Sequence, residues 1–323
     1  MQRRNVLARL TASTALMGSA HWLAGCGEAQ PLRVGIHPWV GYETLFLAQD
    51  FKWLTPSVQL QPMQELSVTS VALQTGDIDA GCLTLDEVLR LRSLGAPVTV
   101  GLVFDVSAGA DMVVAGATIK RTADLAGKRI GVEPGALGSL MLQGLLKHAQ
   151  LSESAVNVVA LPFDQQITAW RNRSVDAIIC FEPNATMLQR DGAQRIFDSR
   201  QLPDTILDVL AVRSDRGDRL NGSLRVLLQG HFKGLGHLQA NRQDAIYRIA
   251  ARQHLTPKEV QQALAGVVMP TLEANRQYLA PVNNRLNNAA KRVSGLMVQG
   301  GLLPREDSQA GLSTGVWLPR DDG

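Results

Sequence analysis

Apolar and polar positions change period at short intervals along this chain. Leu32 to Ile36 is a β-like run, and a helix-like stretch through Leu45, Phe46, Ala48 and Phe51 follows it. Val58 to Met63 alternates as a second strand. Val68 to Thr75 predicts a helix closed by Gly76, the residue that takes a left-handed cap at least cost. Asp77 to Cys82 predicts a third strand, Leu85 to Leu94 a helix and Val98 to Asp105 a fourth strand. Strand and helix alternating at this spacing predict a mainly parallel sheet.

A small polar break at Asp105 to Gly109 suits a linker, after which the same grammar resumes. Met112 to Ala115, Arg129 to Glu133, Val156 to Leu161 and Asp176 to Cys180 predict strands. Thr122 to Lys128 predicts a short helical turn, and Leu140 to Ala149 and Gln165 to Arg173 predict helices. Two further strands are expected at Ala193 to Phe197 and Leu207 to Val212. From Asn221 the chain predicts almost only helix, with Leu224, Leu227, Leu228, Phe232 and Leu235 spaced by threes and fours. Thr256-Pro257-Lys258-Glu259 is a helix start with Thr as N-cap, and Val282 to Gln299 predicts the last helix. Val316-Trp317-Leu318 interrupts a polar tail and is expected to dock on the body.

The two arrays share a half-repeat. Gly76-Asp77-Ile78-Asp79-Ala80-Gly81 answers Arg173-Ser174-Val175-Asp176-Ala177-Ile178, and each strand then runs into a candidate contact, Thr84-Leu85-Asp86 or Phe181-Glu182-Pro183. This is the layout of two similar lobes facing one another. A length of 323 residues with 45% hydrophobic residues accommodates two such lobes.

The first 26 residues have the composition of a targeting segment: Arg3, Arg4 and Arg9, then the short apolar stretch Leu10 to Leu23, then Leu23-Ala24-Gly25-Cys26. Its end resembles the lipobox of bacterial lipoproteins, in which Cys26 becomes the acylated first residue. The expected division is a signal peptide at 1–25 and a tether at 26–30. Removing 1–25 takes three arginines and no acid from a formal charge of +3, leaving zero net charge. A nucleic-acid surface is therefore not expected. Cys82 and Cys180 lie in apolar runs and are expected as buried single thiols.

His37-Pro38-Trp39-Val40-Gly41-Tyr42-Glu43 joins the first strand to the first helix, carrying two aromatic rings, an imidazole and a carboxylate. A strand ending in such a loop suits the ligand edge of an open α/β sheet. Glu43 has a second explanation, as a negative charge in the first turn of a helix.

In this order, Pro38-Trp39-Val40-Gly41-Tyr42-Glu43, Leu45-Phe46-Leu47-Ala48, Gly76-Asp77-Ile78-Asp79-Ala80, Asp124-Leu125-Ala126-Gly127-Lys128-Arg129-Ile130-Gly131-Val132 and Phe181-Glu182-Pro183 are similar to a known family. The chain resembles bacterial periplasmic solute-binding proteins of the type II fold, in the nitrate/sulfonate/taurine group that includes carriers of thiamine-precursor pyrimidines. The resemblance implies an α/β protein with a ligand cleft between two lobes, 31–108 plus 208–323 and 109–207. It also implies closure around a small-molecule ligand, delivery to an ABC permease and no catalysis. The expected location is the periplasmic side of the cell envelope, with membrane attachment through the lipid anchor and a monomeric state. A membrane sensor is the alternative partner.

Fold physics and resemblance together put the cleft at strand C-terminal ends. The candidates are His37, Trp39, Tyr42, Glu43, Glu65, Ser67, Thr84, Asp86 and Asp105 on one side. On the other they are Glu133, Gly135, Gly138, Ser139, Phe163, Asp164, Gln165, Phe181 and Glu182. Ser139 serves either as a ligand contact or as an ordinary N-cap, and Glu182-Pro183 either as a cleft motif or as a strand stop. Acids outnumber bases at these ends, so a bare oxyanion meets an unfavourable field. An amine-bearing sulfonate or phosphonate, or a heteroaromatic ligand, suits the carboxylates and rings better. No phosphate-loop or His-Glu-x-x-His motif is present, and the histidines lack metal-ligand spacing. No catalytic residue, metal or cofactor is expected.

Overall fold

Two β-sheets organise the computed structural model, which describes residues 30–282 and 284–320. The targeting segment and Cys26 lie outside the described residues. From Pro31 onward the chain is one compact unit.

In chain order the first elements are β1 (Leu32–Ile36), α1 (Glu43–Asp50), β2 (Val58–Pro62), α2 (Leu66–Thr75), β3 (Ala80–Thr84), α3 (Leu85–Ser93) and β4 (Val98–Ser107). Then come β5 (Met112–Ala115), β6 (Arg129–Val132), α4 (Ala136–Ala149), β7 (Asn157–Ala160), α5 (Gln166–Arg171), β8 (Ala177–Cys180), α6 (Asn184–Arg190) and β9 (Gln194–Asp198). The rest is β10 (Leu207–Arg213), α7 (Gly217–Ala240), α8 (Arg242–Gln253), α9 (Pro257–Leu264), β11 (Val267–Val268), α10 (Leu272–Tyr278) and α11 (Arg285–Gln299).

The first sheet has the order β11-β4-β10-β3-β1-β2 and the second β7-β6-β8-β5-β9. The expected mainly parallel sheets are mixed. β10 lies antiparallel between β3 and β4, and β5 lies antiparallel between β8 and β9. These are the strands by which the chain enters a sheet after crossing from the other, so their direction follows from the crossover and not from their composition. Central strands are continuous apolar runs, β3 being buried at all five positions. The edge strand β2 instead alternates with glutamines at Gln59 and Gln61. Burial on both faces favours the first pattern and a solvated edge the second.

The half-repeat has a physical cause. Arg33 directs its backbone N–H and Nε to Asp79 Oδ2 at 3.0 and 2.9 Å, while Nη2 reaches Asp79 Oδ1 at 3.0 Å and the Gly76 carbonyl at 3.1 Å. Arg129 repeats every contact on Asp176 and the Arg173 carbonyl, at 2.9 to 3.1 Å. In each half an arginine opening a strand clamps the turn before the neighbouring strand. That use of Asp79 is why β3 starts at Ala80 rather than at Asp77.

Two helix starts also differ from expectation. α4 begins at Ala136, four residues early, with Gly135 as N-cap, and α11 begins at Arg285, where the Asn284 side chain accepts from the Asn287 N–H. Thr256 caps α9 as expected, with Glu259 completing the reciprocal pair. Trp317 docks as expected, its indole N–H donating to Asn221 at 2.5 Å. Cys82 and Cys180 are buried and unpaired, one in each sheet.

The two crossings, around 107–111 and 198–206, are stitched together. Ser107 and Ser199 hydroxyls lie 2.7 Å apart, the Gly109 N–H donates to Ser199 Oγ at 2.7 Å, and the Ser199 N–H donates to the Asp111 carbonyl at 2.9 Å. This joint sits beside the ends of the strands where the candidate residues gather.

Candidate functional site

Antiparallel β10 brings its beginning to the ends of β3 and β4, so Asp208 lies in register between Thr84 and Asp105. Above this row stands the loop after β1. The Trp39 indole N–H donates to Asp105 Oδ2 at 3.0 Å, and the Tyr42 hydroxyl donates to Asp208 Oδ1. Tyr42 and the row beneath it are fully buried, so each hydrogen bond answers a desolvated polar group. From the second sheet, Phe181 at the end of β8 meets the Trp39 ring edge to face at 5.7 Å and stacks on Phe163 at 4.9 Å.

These residues enclose a cavity of about 10 Å³ lined by His37, Trp39, Leu66, Thr84, Asp111, Leu137, Phe181 and Asp208. The lining contains two carboxyl groups and no lysine or arginine. More acids surround it: Asp86 and Asp105 are fully buried, and Glu133 nearly so. Buried acceptors without a partner among the described residues include Asp111 Oδ2 and Glu133 Oε1. Such groups are costly unless something supplies donors.

Desolvation dominates the electrostatics here. It lowers the His37 pKa to about 3, leaving the imidazole neutral. Burial and then the neighbouring Glu87 push Asp86 up to about 8, and burial with Glu65, Glu87 and Asp111 pushes Glu133 up to about 8. Burial raises Asp105 to about 7 against the Trp39 hydrogen bond, and Asp111 to about 6. Burial, and then the neighbouring Asp105 and Asp111, push the Asp208 carboxyl well up from the ordinary carboxylate range.

The sequence candidates are not all brought together. His37, Trp39 and Thr84 line the cavity, and Tyr42 supports its floor. Glu65 reaches across, accepting the Phe163 N–H at 3.3 Å and the Ser67 hydroxyl at 2.5 Å. Glu43 is placed elsewhere: it accepts from Gln253 at 2.6 Å and faces the Arg252 guanidinium at 3.4 Å, both on α8. Ser139 is neither N-cap nor cavity lining, because its hydroxyl donates to the Gly135 carbonyl at 2.9 Å within the first turn of α4. Glu182 faces a separate cavity of about 340 Å³, and both its oxygens accept from Thr186, from the N–H at 3.1 Å and the hydroxyl at 3.0 Å. Asp164 and Gln165 are exposed. Among the described residues no three His, Cys, Asp or Glu side chains are grouped to hold a metal ion.

The model of one protein family, described as NMT1/THI5 like, matches residues 57–243, more than half of the chain. The chain belongs to the NMT1/THI5-like family. A 151-residue stretch of this NMT1/THI5-like protein is 29% identical to the taurine-binding periplasmic protein of Escherichia coli (strain K12), covering 46% of this chain. It spans about half the length of that curated relative, 47%. The fold is that of periplasmic binding proteins. It matches the alkanesulfonate-binding protein SsuA from Xanthomonas axonopodis pv. citri bound to MOPS with a TM-score of 0.72 at 20% identity, over 88% of this chain and 99% of that one. It also matches a DSZB mutant in complex with biphenyl-2-sulfinic acid, with a TM-score of 0.66 at 17% identity, over 90% and 98% of the two chains.

Three acidic residues of this candidate site escape sequence reasoning: Asp208, Asp111 and Glu87. Asp208 did carry a signal, a lone acid in the apolar run Leu207 to Val212. Asp111 sits in the small-residue linker, where an acid is unremarkable. Glu87 adjoins the Asp86 that was singled out, and sequence alone does not say which of two adjacent helical residues faces the cleft.

Proposed function

We propose that this protein is an extracytoplasmic solute-binding subunit that captures a small organic, amine-bearing ligand between its two sheets and delivers it to an ABC importer. The observation that carries this reading is the cavity itself. Its walls come from both sheets, with Trp39 from one and Phe181 from the other, its lining carries the carboxyl groups of Asp111 and Asp208, and no lysine or arginine lines it among the described residues. A cavity of about 10 Å³ has room for roughly one water. Admission of a solute therefore requires the two sheets to part about the Ser107–Ser199 joint, a hinge motion dividing 31–108 plus 208–323 from 109–207.

Names of the relatives point to ligands of the taurine and sulfonate kind, and taurine carries the amine that this lining favours. Binding without catalysis is supported by the state of the nucleophiles. Burial pushes both the Cys82 and Cys180 thiols well up, away from the reactive thiolate, and His37 is neutral and buried. The Cys26 lipobox completes the reading as a lipid-anchored protein on the periplasmic side of the envelope. Mass spectrometry of the membrane fraction tests that anchor, an unmodified soluble chain contradicting it.

The test of binding is a thermal-shift screen of sulfonates, aminophosphonates, aminopyrimidines and simple amines on the wild-type protein and on Trp39→Ala. A ligand of the closed cleft raises the melting temperature of the wild type and loses that effect in the variant. Failure of every compound to shift the wild type would reject the proposal.

A further inference from the structure

The N-terminus of α4 is occupied by a carboxylate of the protein itself. Glu87, fully buried on α3, accepts the Ala136 N–H at 2.6 Å through Oε1 and the Ser70 hydroxyl at 3.1 Å through Oε2. The approach is close enough that a Cβ on Gly135, whose φ is +148°, would stand 2.8 Å from that Oε1. Glycine at the N-cap is what lets the carboxylate in. The contact runs from a helix of the first-sheet half to a helix of the second-sheet half, across the cleft.

A helix N-terminus of this length offers amide donors and positive dipole to an anion. Here Glu87 already uses the leading amide, and Glu133 stands just before it in sequence. An oxyanion arriving at this end would face Glu87 at close range, with the half-exposed Arg90 guanidinium 3.6 Å from its Oε2. In contrast, Asp111 Oδ2, buried and lining the cavity, has no donor among the described residues. A protonated amine supplies three donors and a positive charge, and the Trp39 and Phe181 rings that line the cavity favour a cation over an anion beside them.

We infer that Glu87 is a specificity residue: by holding the α4 N-terminus it excludes sulfonates and other oxyanions, so the solute admitted is a cation bearing an amine. This rests on the cleft being the binding site, and it narrows that reading by removing the anionic half of the ligand as a requirement.

The test compares three two-carbon probes, ethylamine, taurine and ethanesulfonate, by calorimetry and ligand-observed NMR on the wild type, Glu87→Gln and Glu87→Asp. In the wild type ethylamine binds at least about tenfold more tightly than ethanesulfonate, because like charges at contact are strongly unfavourable. Glu87→Gln moves that ratio at least about tenfold toward ethanesulfonate, and taurine binding tightens with it. Glu87→Asp keeps the charge and retains the wild-type preference, which separates exclusion from a folding defect. Equal wild-type affinity for ethylamine and ethanesulfonate, or an unchanged ratio in Glu87→Gln, overturns the inference. Binding of none of the three by the wild type, in a protein that binds other solutes, overturns it too. Failure of all solutes in the wider screen rejects the cleft reading first.

Discussion

Trp39 and Phe181 meet edge to face with ring centroids 5.7 Å apart, and they come from opposite sheets. Each follows the end of a β-strand, and each is buried. The contact ties closure of the cleft to the composition of its walls. Trp39→Ala and Phe181→Ala should each weaken binding of the best solute at least about tenfold, as truncation of central aromatic anchors does. The double variant should cost less than the sum of the two, because the residues share one contact. Calorimetry across the four proteins checks this, and strict additivity would count against it.

Gly41 makes the Trp39 contact possible. A Cβ at this position would lie 1.7 Å from Asp105 Oδ2 and 2.5 Å from Trp39 Nε1, inside their hydrogen bond. Gly41→Ala should therefore break that bond and cost about 1–3 kcal/mol by overpacking. Chemical denaturation measures the loss, and tryptophan fluorescence should report the displaced indole.

Asp86 places a pH dependence on folding. Its carboxyl titrates at about 8 in the fold against an ordinary 3.8, so the folded state holds the proton more tightly than the unfolded chain. Stability from this group is full below about pH 4 and declines as pH rises toward 8. Asp86→Asn should remove that decline and raise Tm at pH 8.5 by about 2 °C or more. Melting curves from pH 5 to 9 decide it; parallel curves for the two proteins would contradict the assignment.

The paired clamps should behave oppositely with pH. Desolvation pushes Asp79 up, but its bonds from Arg33 and Arg216 outweigh this and hold its carboxyl below the usual range. Its stabilisation is present above the ordinary carboxylate pKa and fades as pH falls through the lower folded value. Asp79→Asn should cost about 1.5–3 kcal/mol near neutrality, the range for a hydrogen bond to a charged partner. Asp176→Asn should cost less, because its side chain is 32% exposed against 8% for Asp79. Urea titration of both variants tests the order.

Much of this architecture was legible from periodicity, because strands, helices and the half-repeat are local patterns. The Gly76–Gly81 and Arg173–Ile178 alignment held because both segments perform the same task, presenting an aspartate to an arginine about 46 residues earlier. The direction of β10 was not legible, and with it went Asp208. Strand order is set by long-range pairing, and an acid in an apolar run does not announce its neighbours. Glu43 shows the converse. Its partner Gln253 lies 210 residues away on α8, and nothing local distinguishes a carboxylate facing a helix from one facing a cleft.

In the proposed binding mode, buried carboxyl groups receive the cationic part of a solute. With Asp105 and Glu133 raised to about 7 and 8 by burial, these two groups hold protons at pH 7 that an arriving cation would displace, and Asp111, raised to about 6, adds to the release at lower pH. Calorimetric titration with the best amine from the screen, in two buffers of different ionisation enthalpy at pH 7, measures that exchange. Binding should release protons, more at pH 6.5 than at pH 8.5, whereas proton uptake, or heats that do not differ between the two buffers, would contradict the role of these carboxyl groups.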